Sequence, residues 1–255
     1  TYAKEILTPE YGEKLESLLQ KRSAEGHLVG ILNGIDYDFW NPATDTHLTE
    51  RYDEHTLEKK TVNKAALIAR LGLSSPTFPL LGLVARLTPQ KGIDMIIENV
   101  PSFIKNHDAQ FVFLGNGTTP YEQALENLAK QYPAHVATRI AFDEPLAHQI
   151  YASSDFFLMP SRFEPCGLGQ MVAMRYGTPP IVRDTGGLHD SVTHLKTGLV
   201  FKEANANALQ ETMKLALQYY TGEPQKLLAM QEKCMEAQFD FSHSASSVPS
   251  AVNRP

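Results

Sequence analysis

Phe156-Phe157-Leu158-Met159-Pro160-Ser161-Arg162-Phe163-Glu164-Pro165-Cys166-Gly167-Leu168 is the stretch on which the fold turns. Its first four residues are an apolar run of strand length. Gln170-Met171-Val172-Ala173-Met174-Arg175-Tyr176, just beyond, reads as a helix. A carboxylate and a glycine therefore occupy a strand-to-helix turn. Such a turn offers free backbone N–H groups to a phosphate and can set a carboxylate beside it.

The same alternation extends in both directions. Leu80 to Ala85 is a continuous apolar run, as expected of a strand covered on both faces. Ile93 to Asn106 reads as a helix, Gln110 to Gly115 as a strand, Tyr121 to Gln131 as a helix and Val136 to Ala141 as a strand. Leu146 to Ser153 and Gly169 to Tyr176 read as helices on either side of the Phe156–Met159 strand. Pro180 to Arg183 and Gly198 to Phe201 are further strands, and Ala206 to Tyr219 a further helix. Thr61 to Leu71 precedes this series as a helix stopped by Gly72. About six alternations predict an α/β fold, a Rossmann-like parallel sheet with helices on both faces. Ligands of such a sheet lie at the carboxyl ends of its strands.

The flanks are less regular. Residues 1 to about 28 read as a polar helical segment, and Leu28 to Leu32 as a short strand leading into the turn Asn33-Gly34-Ile35-Asp36. The organisation expected is a linking segment over 1–28, one Rossmann-like domain over 29–241 and a loose tail over 242–255.

Bulk properties exclude several classes. The net charge is −6 and the 23 Lys and Arg residues are scattered, which gives no nucleic-acid surface. Two cysteines, Cys166 and Cys234, build neither a disulfide framework nor a metal site and fit a reducing compartment. No apolar run approaches the length of a membrane span. The chain opens on Thr1-Tyr2 without a methionine, so the lack of a signal peptide carries little weight.

Five groups of residues fall at the expected strand ends. Arg86 leaves one strand and Lys91 precedes the next helix. A forked guanidinium and a compact ammonium suit a diphosphate. Gly115-Asn116-Gly117 allows a ligand close to the backbone, although most such pairs are ordinary turns. Phe142 follows a strand and either covers a base or joins the core, and on its own reads as core. His148 reads as a structural histidine. Glu164 either caps its turn or faces a sugar whose anomeric carbon gains positive charge. Cys166 packs, with no sign of a nucleophile, while Gly167, Leu168 and Gly169 present N–H groups. Arg183-Asp184-Thr185-Gly186-Gly187-Leu188 follows another strand, and its paired glycines make either a turn close to a ligand or to backbone or, equally, a plain structural turn.

The chain closely resembles the bacterial glycogen synthases and plant starch synthases. The resemblance rests on Gly30-Ile31-Leu32-Asn33-Gly34-Ile35-Asp36, Arg86-Leu87-Thr88-Pro89-Gln90-Lys91-Gly92, the Pro160 to Gly167 string, Met174-Arg175-Tyr176-Gly177-Thr178 and Thr185-Gly186-Gly187-Leu188, and it runs from Thr1 to about Ser244. It implies the C-terminal, donor-binding half of a two-domain GT-B glycosyltransferase. That family moves glucose from ADP-glucose to the non-reducing end of an α-1,4-glucan, with retention.

Carried onto these positions, the resemblance implies that Arg86 and Lys91 bind the diphosphate and that Phe142 stacks on adenine. Asn33 and Glu164 contact the donor glucose, and Cys166, Gly167 and Leu168 line its pocket. The strand-end reading, not the resemblance, adds Gly115, Gly117, Thr185 and Gly186 as candidate binding residues, with ordinary turns as the alternative. Gly169 stands where many relatives carry Thr or Ser, and Val172 where broader GT-B families carry a second Glu. No cofactor or metal is implied, and the partners are ADP-glucose or ADP and a glucan. The glucan is held mainly by an N-terminal half whose donor loop does not occur in this sequence, so the fragment is expected to turn over little alone. The setting implied is the bacterial cytoplasm or a plastid. Two other readings stay open: a GT-B enzyme using a UDP-sugar, and a nucleotide- or glucan-binding module without catalysis.

Overall fold

The structure is a computed structural model and describes residues 1–246. Six strands form its sheet: β1 (Leu80–Val84), β2 (Gln110–Gly115), β3 (Val136–Ile140), β4 (Phe156–Met159), β5 (Pro180–Arg183) and β6 (Leu199–Phe201). All neighbours are parallel, in the order β3-β2-β1-β4-β5-β6. After β3 the chain returns past two strands to lay β4 against β1, with Leu81 beside Phe156. The order reverses there, and a crevice opens at the carboxyl ends of β1 and β4.

Alternation along each strand feeds two apolar layers. Leu81, Leu83, Phe111, Phe113, Phe156 and Leu158 pack with α4 (Ile93–Asn106), α5 (Thr119–Gln131) and α9 (Ala206–Gly222). Leu80, Val112, Leu114, Phe157 and Met159 pack with α3 (Lys60–Leu71), α6 (Glu144–Ser153) and α7 (Gly169–Arg175). Each large apolar side chain so buried contributes roughly 1.5–3 kcal/mol. The short α8 (Gly186–Ser191) follows β5. α10 (Pro224–Glu236) spans the two layers, giving Leu227 and Met230 to one and Cys234 and Met235 to the other.

The core elements expected from sequence are present, with ends shifted by a few residues at most. The flanks differ. Leu28 to Leu32 forms no strand, and Val29 and Ile31 stay exposed. Only Ile35, just beyond, makes an isolated bridge, to Asp240. The amino-terminal segment is two helices, α1 (Tyr2–Glu5) and α2 (Glu16–Ala24), separated by turns in which Glu13 and Lys14 take positive φ. Where the tail was expected to be loose, α11 (Phe241–Ser246) is helical; residues 247–255 lie outside the described residues.

Candidate active site

β1 ends at Val84 and the chain leaves as Ala85-Arg86, makes a single 3-10 turn over Pro89–Lys91 and enters α4 through Gly92. Gly92 has φ 67°, and a Cβ there would lie 2.2 Å from the Pro160 carbonyl oxygen. Only glycine lets this loop settle on the end of β4. Further bonds close the seam. The Arg162 N–H donates to the Gln90 carbonyl at 2.7 Å, and Gln90 Nε2 donates to the Phe163 carbonyl at 3.1 Å. Arg183, at the end of β5, holds the same loop by donating Nε to the Ser161 carbonyl at 2.9 Å and Nη2 to the Arg162 carbonyl.

Lys91 and Glu164 meet across this seam in an ion pair between Nζ and Oε2. Ser161 Oγ donates to the same carboxylate oxygen at 3.1 Å. Glu164 is buried, and nearby lies a cavity of about 170 Å³ lined by Arg86, Lys91, Met159, Ser161, Leu168 and Gly169 among others. A second cavity of about 290 Å³ adjoins it, walled by Trp40, Leu114, Gly115, Asn116, Phe142 and Tyr151. Val84, Ala85 and Arg86 border both. Arg86 is exposed, and its guanidinium is engaged by no other described residue. An apolar slot, a free guanidinium and a cation–carboxylate pocket thus lie in sequence along the crevice.

Phe142 is 88% exposed at the slot, which removes the core reading. His148 is buried as a structural residue. Its Nδ1 lies 2.7 Å from Asp45 Oδ2 and 3.0 Å from Tyr176 Oη, and its ring stacks on Trp40 at 4.3 Å. Cys166 is half-buried and accepts the Asn33 N–H at 3.3 Å, which brings the Asn33 loop to the Glu164 loop. Burial pushes the Cys166 thiol pKa up, the Asn33 N–H opposes this, and Glu164 and Asp190 raise it further. A thiol in that state is a packing group, not a nucleophile.

Other expected contacts have different partners. The Gly117 N–H donates to Glu122 Oε1 at 2.8 Å, and its Cα sits against the Leu87 backbone. Gly115 lines the slot because its Cα abuts the Ala85 carbonyl, where a Cβ would lie at 1.9 Å. Thr185 is buried. Its Oγ1 and the Gly186 N–H both donate to Glu5 Oε1, at 3.3 and 2.9 Å, so the structure turns them to the amino-terminal segment instead of the crevice.

Sequence reasoning gave no individual role to Trp40, Ser161, Gln170 or Arg183, although Ser161 and Arg183 stand in the strand-end stretches it singled out. Gln170, fully buried in α7, donates Nε2 to Cys166 O, Gly167 O and Ser191 Oγ, each at 3.0 Å, and so fixes the turn after Glu164. A polar residue inside an apolar helical run was its only signal.

A parallel sheet of this order, with an apolar slot, cations and a buried carboxylate at its switch point, is a doubly wound α/β domain whose ligand crevice lies at the carboxyl ends of β1 and β4. The chain belongs to the glycosyl transferases group 1 family, which it matches over residues 71–233. It is 45% identical to a glycogen synthase of Thermodesulfovibrio yellowstonii over 96% of this chain and 49% of that protein. It is 46% identical to a glycogen synthase of Moorella thermoacetica over 96% of this chain and 51% of that protein. The catalytic domain of starch synthase IV from Arabidopsis thaliana, solved with ADP and acarbose, superposes with a TM-score of 0.91 at 39% identity, covering 96% of this chain and 52% of that one. The chain spans about half the length of the curated relatives it matches.

Proposed function

We propose that this chain is the donor-binding half of a retaining glucosyltransferase that uses ADP-glucose to extend the non-reducing end of an α-1,4-glucan. The observation that carries the reading is Arg86, which borders both the apolar slot and the cavity beside the Lys91–Glu164 pair. A nucleoside diphosphate sugar has the same order of parts: flat base, diphosphate, sugar. The glycogen and starch synthase relatives, one of them solved with ADP, support adenine in the slot.

In this reading Phe142 stacks on the base. Arg86 and Lys91 hold the diphosphate and stabilise the charge that develops on it as it departs. Fixed charges aimed at the leaving group are the usual large contribution to such a barrier. The Glu164 carboxylate faces the sugar and stabilises the positive charge that builds at its anomeric carbon. Asn33, Cys166, Gly167 and Leu168 shape the sugar pocket, and Gly169 contributes only its backbone. No metal or cofactor takes part in this scheme. The glucan is contacted mainly by the other half of the intact protein, so transfer is proposed for the protein that carries both halves. A bacterial cytoplasmic setting goes with this reading. No described helix is long and apolar enough to cross a membrane.

Calorimetric titration with ADP and, separately, UDP tests the reading, with Arg86→Ala alongside. ADP is expected to bind more tightly than UDP. The variant should lose about 1.5–3 kcal/mol, the size of one charge-assisted hydrogen bond. UDP preferred over ADP, or an Arg86→Ala variant with parental affinity, counts against it.

A further inference from the structure

The turn between β5 and α8 backs the loop that carries Glu164. The Gly187 N–H donates to the Glu164 carbonyl at 2.9 Å. A Cβ on Gly186 would lie 1.9 Å from that carbonyl oxygen, and one on Gly187 would lie 2.1 Å from the Cys166 carbonyl oxygen. The two backbones are therefore in direct contact, and the position of one sets the position of the other. Gly186 is in the left-handed region, φ 45°, with its N–H directed at Glu5.

Glu5 comes from α1, which packs on α8 although some 180 residues separate them. One carboxylate oxygen takes both the Gly186 N–H and the Thr185 hydroxyl. The other, Oε2, is buried without a partner. A half-satisfied buried carboxylate is costly. The same segment also bonds Thr1 to Asp190 further along α8, but among the described residues Glu5 is its contact with the Thr185–Gly186 turn itself, and the cost marks a contact made for position.

We propose that Glu5 is a positioning residue: its carboxylate pins Thr185 and Gly186 so that the adjoining glycine pair holds the Glu164 loop in place. The Glu164 side chain on that loop reaches Lys91 and Ser161. The amino-terminal segment thereby fixes the sugar-facing carboxylate without touching the crevice. The consequence for the donor sugar rests on the function proposed above. The pin itself does not.

Cys166 reports on the loop, because it lies two residues beyond Glu164 and is half-buried, whereas Cys234 is fully buried in the core. In Glu5→Ala, alkylation of Cys166 by iodoacetamide should speed up roughly tenfold, the scale set by losing a charge-assisted hydrogen bond, with Cys234 unchanged. Glu5→Gln keeps an acceptor for the Gly186 N–H and should return most of the protection. A general loosening of the fold would expose both cysteines and would not be corrected by glutamine. Parental Cys166 rates in Glu5→Ala, or Cys166 and Cys234 accelerating together, overturn the proposal.

Affinities for ADP and ADP-glucose supply the second arm. Glu5→Ala should keep ADP affinity and lose the increment contributed by the glucose. Unchanged preference for ADP-glucose in that variant overturns the link from Glu5 to the sugar. A parent chain that binds neither ligand overturns the donor-site reading instead, and the Cys166 rate still decides the pin.

Discussion

Lys91 and Glu164 form an ion pair across the seam between β1 and β4, with side chains only 15% and 6% exposed. A pair this dry is weak evidence of stability, because each charge has left water, but breaking it strands the other partner. Lys91→Met should therefore destabilise the chain by about 3–5 kcal/mol. Lys91→Met combined with Glu164→Gln should recover part of that loss, since no buried charge then stands alone. Urea denaturation of the two variants checks this. A single variant as stable as the double one refutes the pairing.

Phe142 presents the opposite case, a large aromatic ring that is 88% exposed. Nothing in the core depends on it. Phe142→Ala should change folding stability by no more than about 0.5 kcal/mol. Its effect should fall on ligand affinity, with ADP binding weakened by about 0.5–1.5 kcal/mol, the extra contribution of a stacked aromatic pair. Phe142→Tyr should bind as the parent does. A variant that melts early, or one with intact ADP affinity, removes Phe142 from the slot wall.

Asp45 anchors the buried cluster behind the slot. Burial raises its pKa, but hydrogen bonds from His148 and Tyr176 and the His47 N–H outweigh this and leave it below the usual carboxylate value of 3.8. A carboxylate whose folded pKa lies below its unfolded one contributes stability at all pH values above the unfolded pKa. That stability is lost as pH falls through the folded pKa. The parent should thus lose stability on acidification below about pH 4. Asp45→Asn should be less stable by about 1.5–3 kcal/mol at neutral pH and show a flatter acid limb. Urea midpoints measured from pH 2.5 to 7 test this. Parallel curves for the two proteins exclude Asp45 as a source of the acid sensitivity.

The central sheet was legible because its strands are dry on both faces. Leu80–Val84, Gln110–Gly115 and Phe156–Met159 are near-continuous apolar runs bounded by polar turns, and parallel pairing demands that pattern. The same rule misled at Leu28–Leu32, which has the composition of a strand but no edge to join. Arg86, Lys91 and Glu164 stood out because all five candidate groups fall at strand-to-helix junctions on one expected sheet edge; singly, such surface charges are usually only solvated. Trp40 and Glu5 did not, because their importance comes from tertiary contacts over a hundred or more residues, Trp40 with His148 and Glu5 with Gly186. Thr185 and Gly186 were read as ligand-facing for the converse reason: a glycine pair needed for close approach looks the same whether a phosphate or a backbone approaches.

Trp40 is the single tryptophan of the chain and lines the apolar slot while stacked on His148. Tyr151 and Phe39 meet its edges. An indole held this way has little freedom of its own, so its emission responds to what enters the slot beside it. Adding ADP should alter Trp40 fluorescence in a saturable way, with the same midpoint as calorimetry. Trp40→Phe should abolish the optical signal while leaving ADP affinity within a few-fold of the parent, because phenylalanine can still pack on His148. Arg86→Ala should shift the optical and calorimetric midpoints together. If ADP binds by calorimetry and the emission does not change, the base lies elsewhere in the crevice and the slot between Trp40 and Phe142 is not its site.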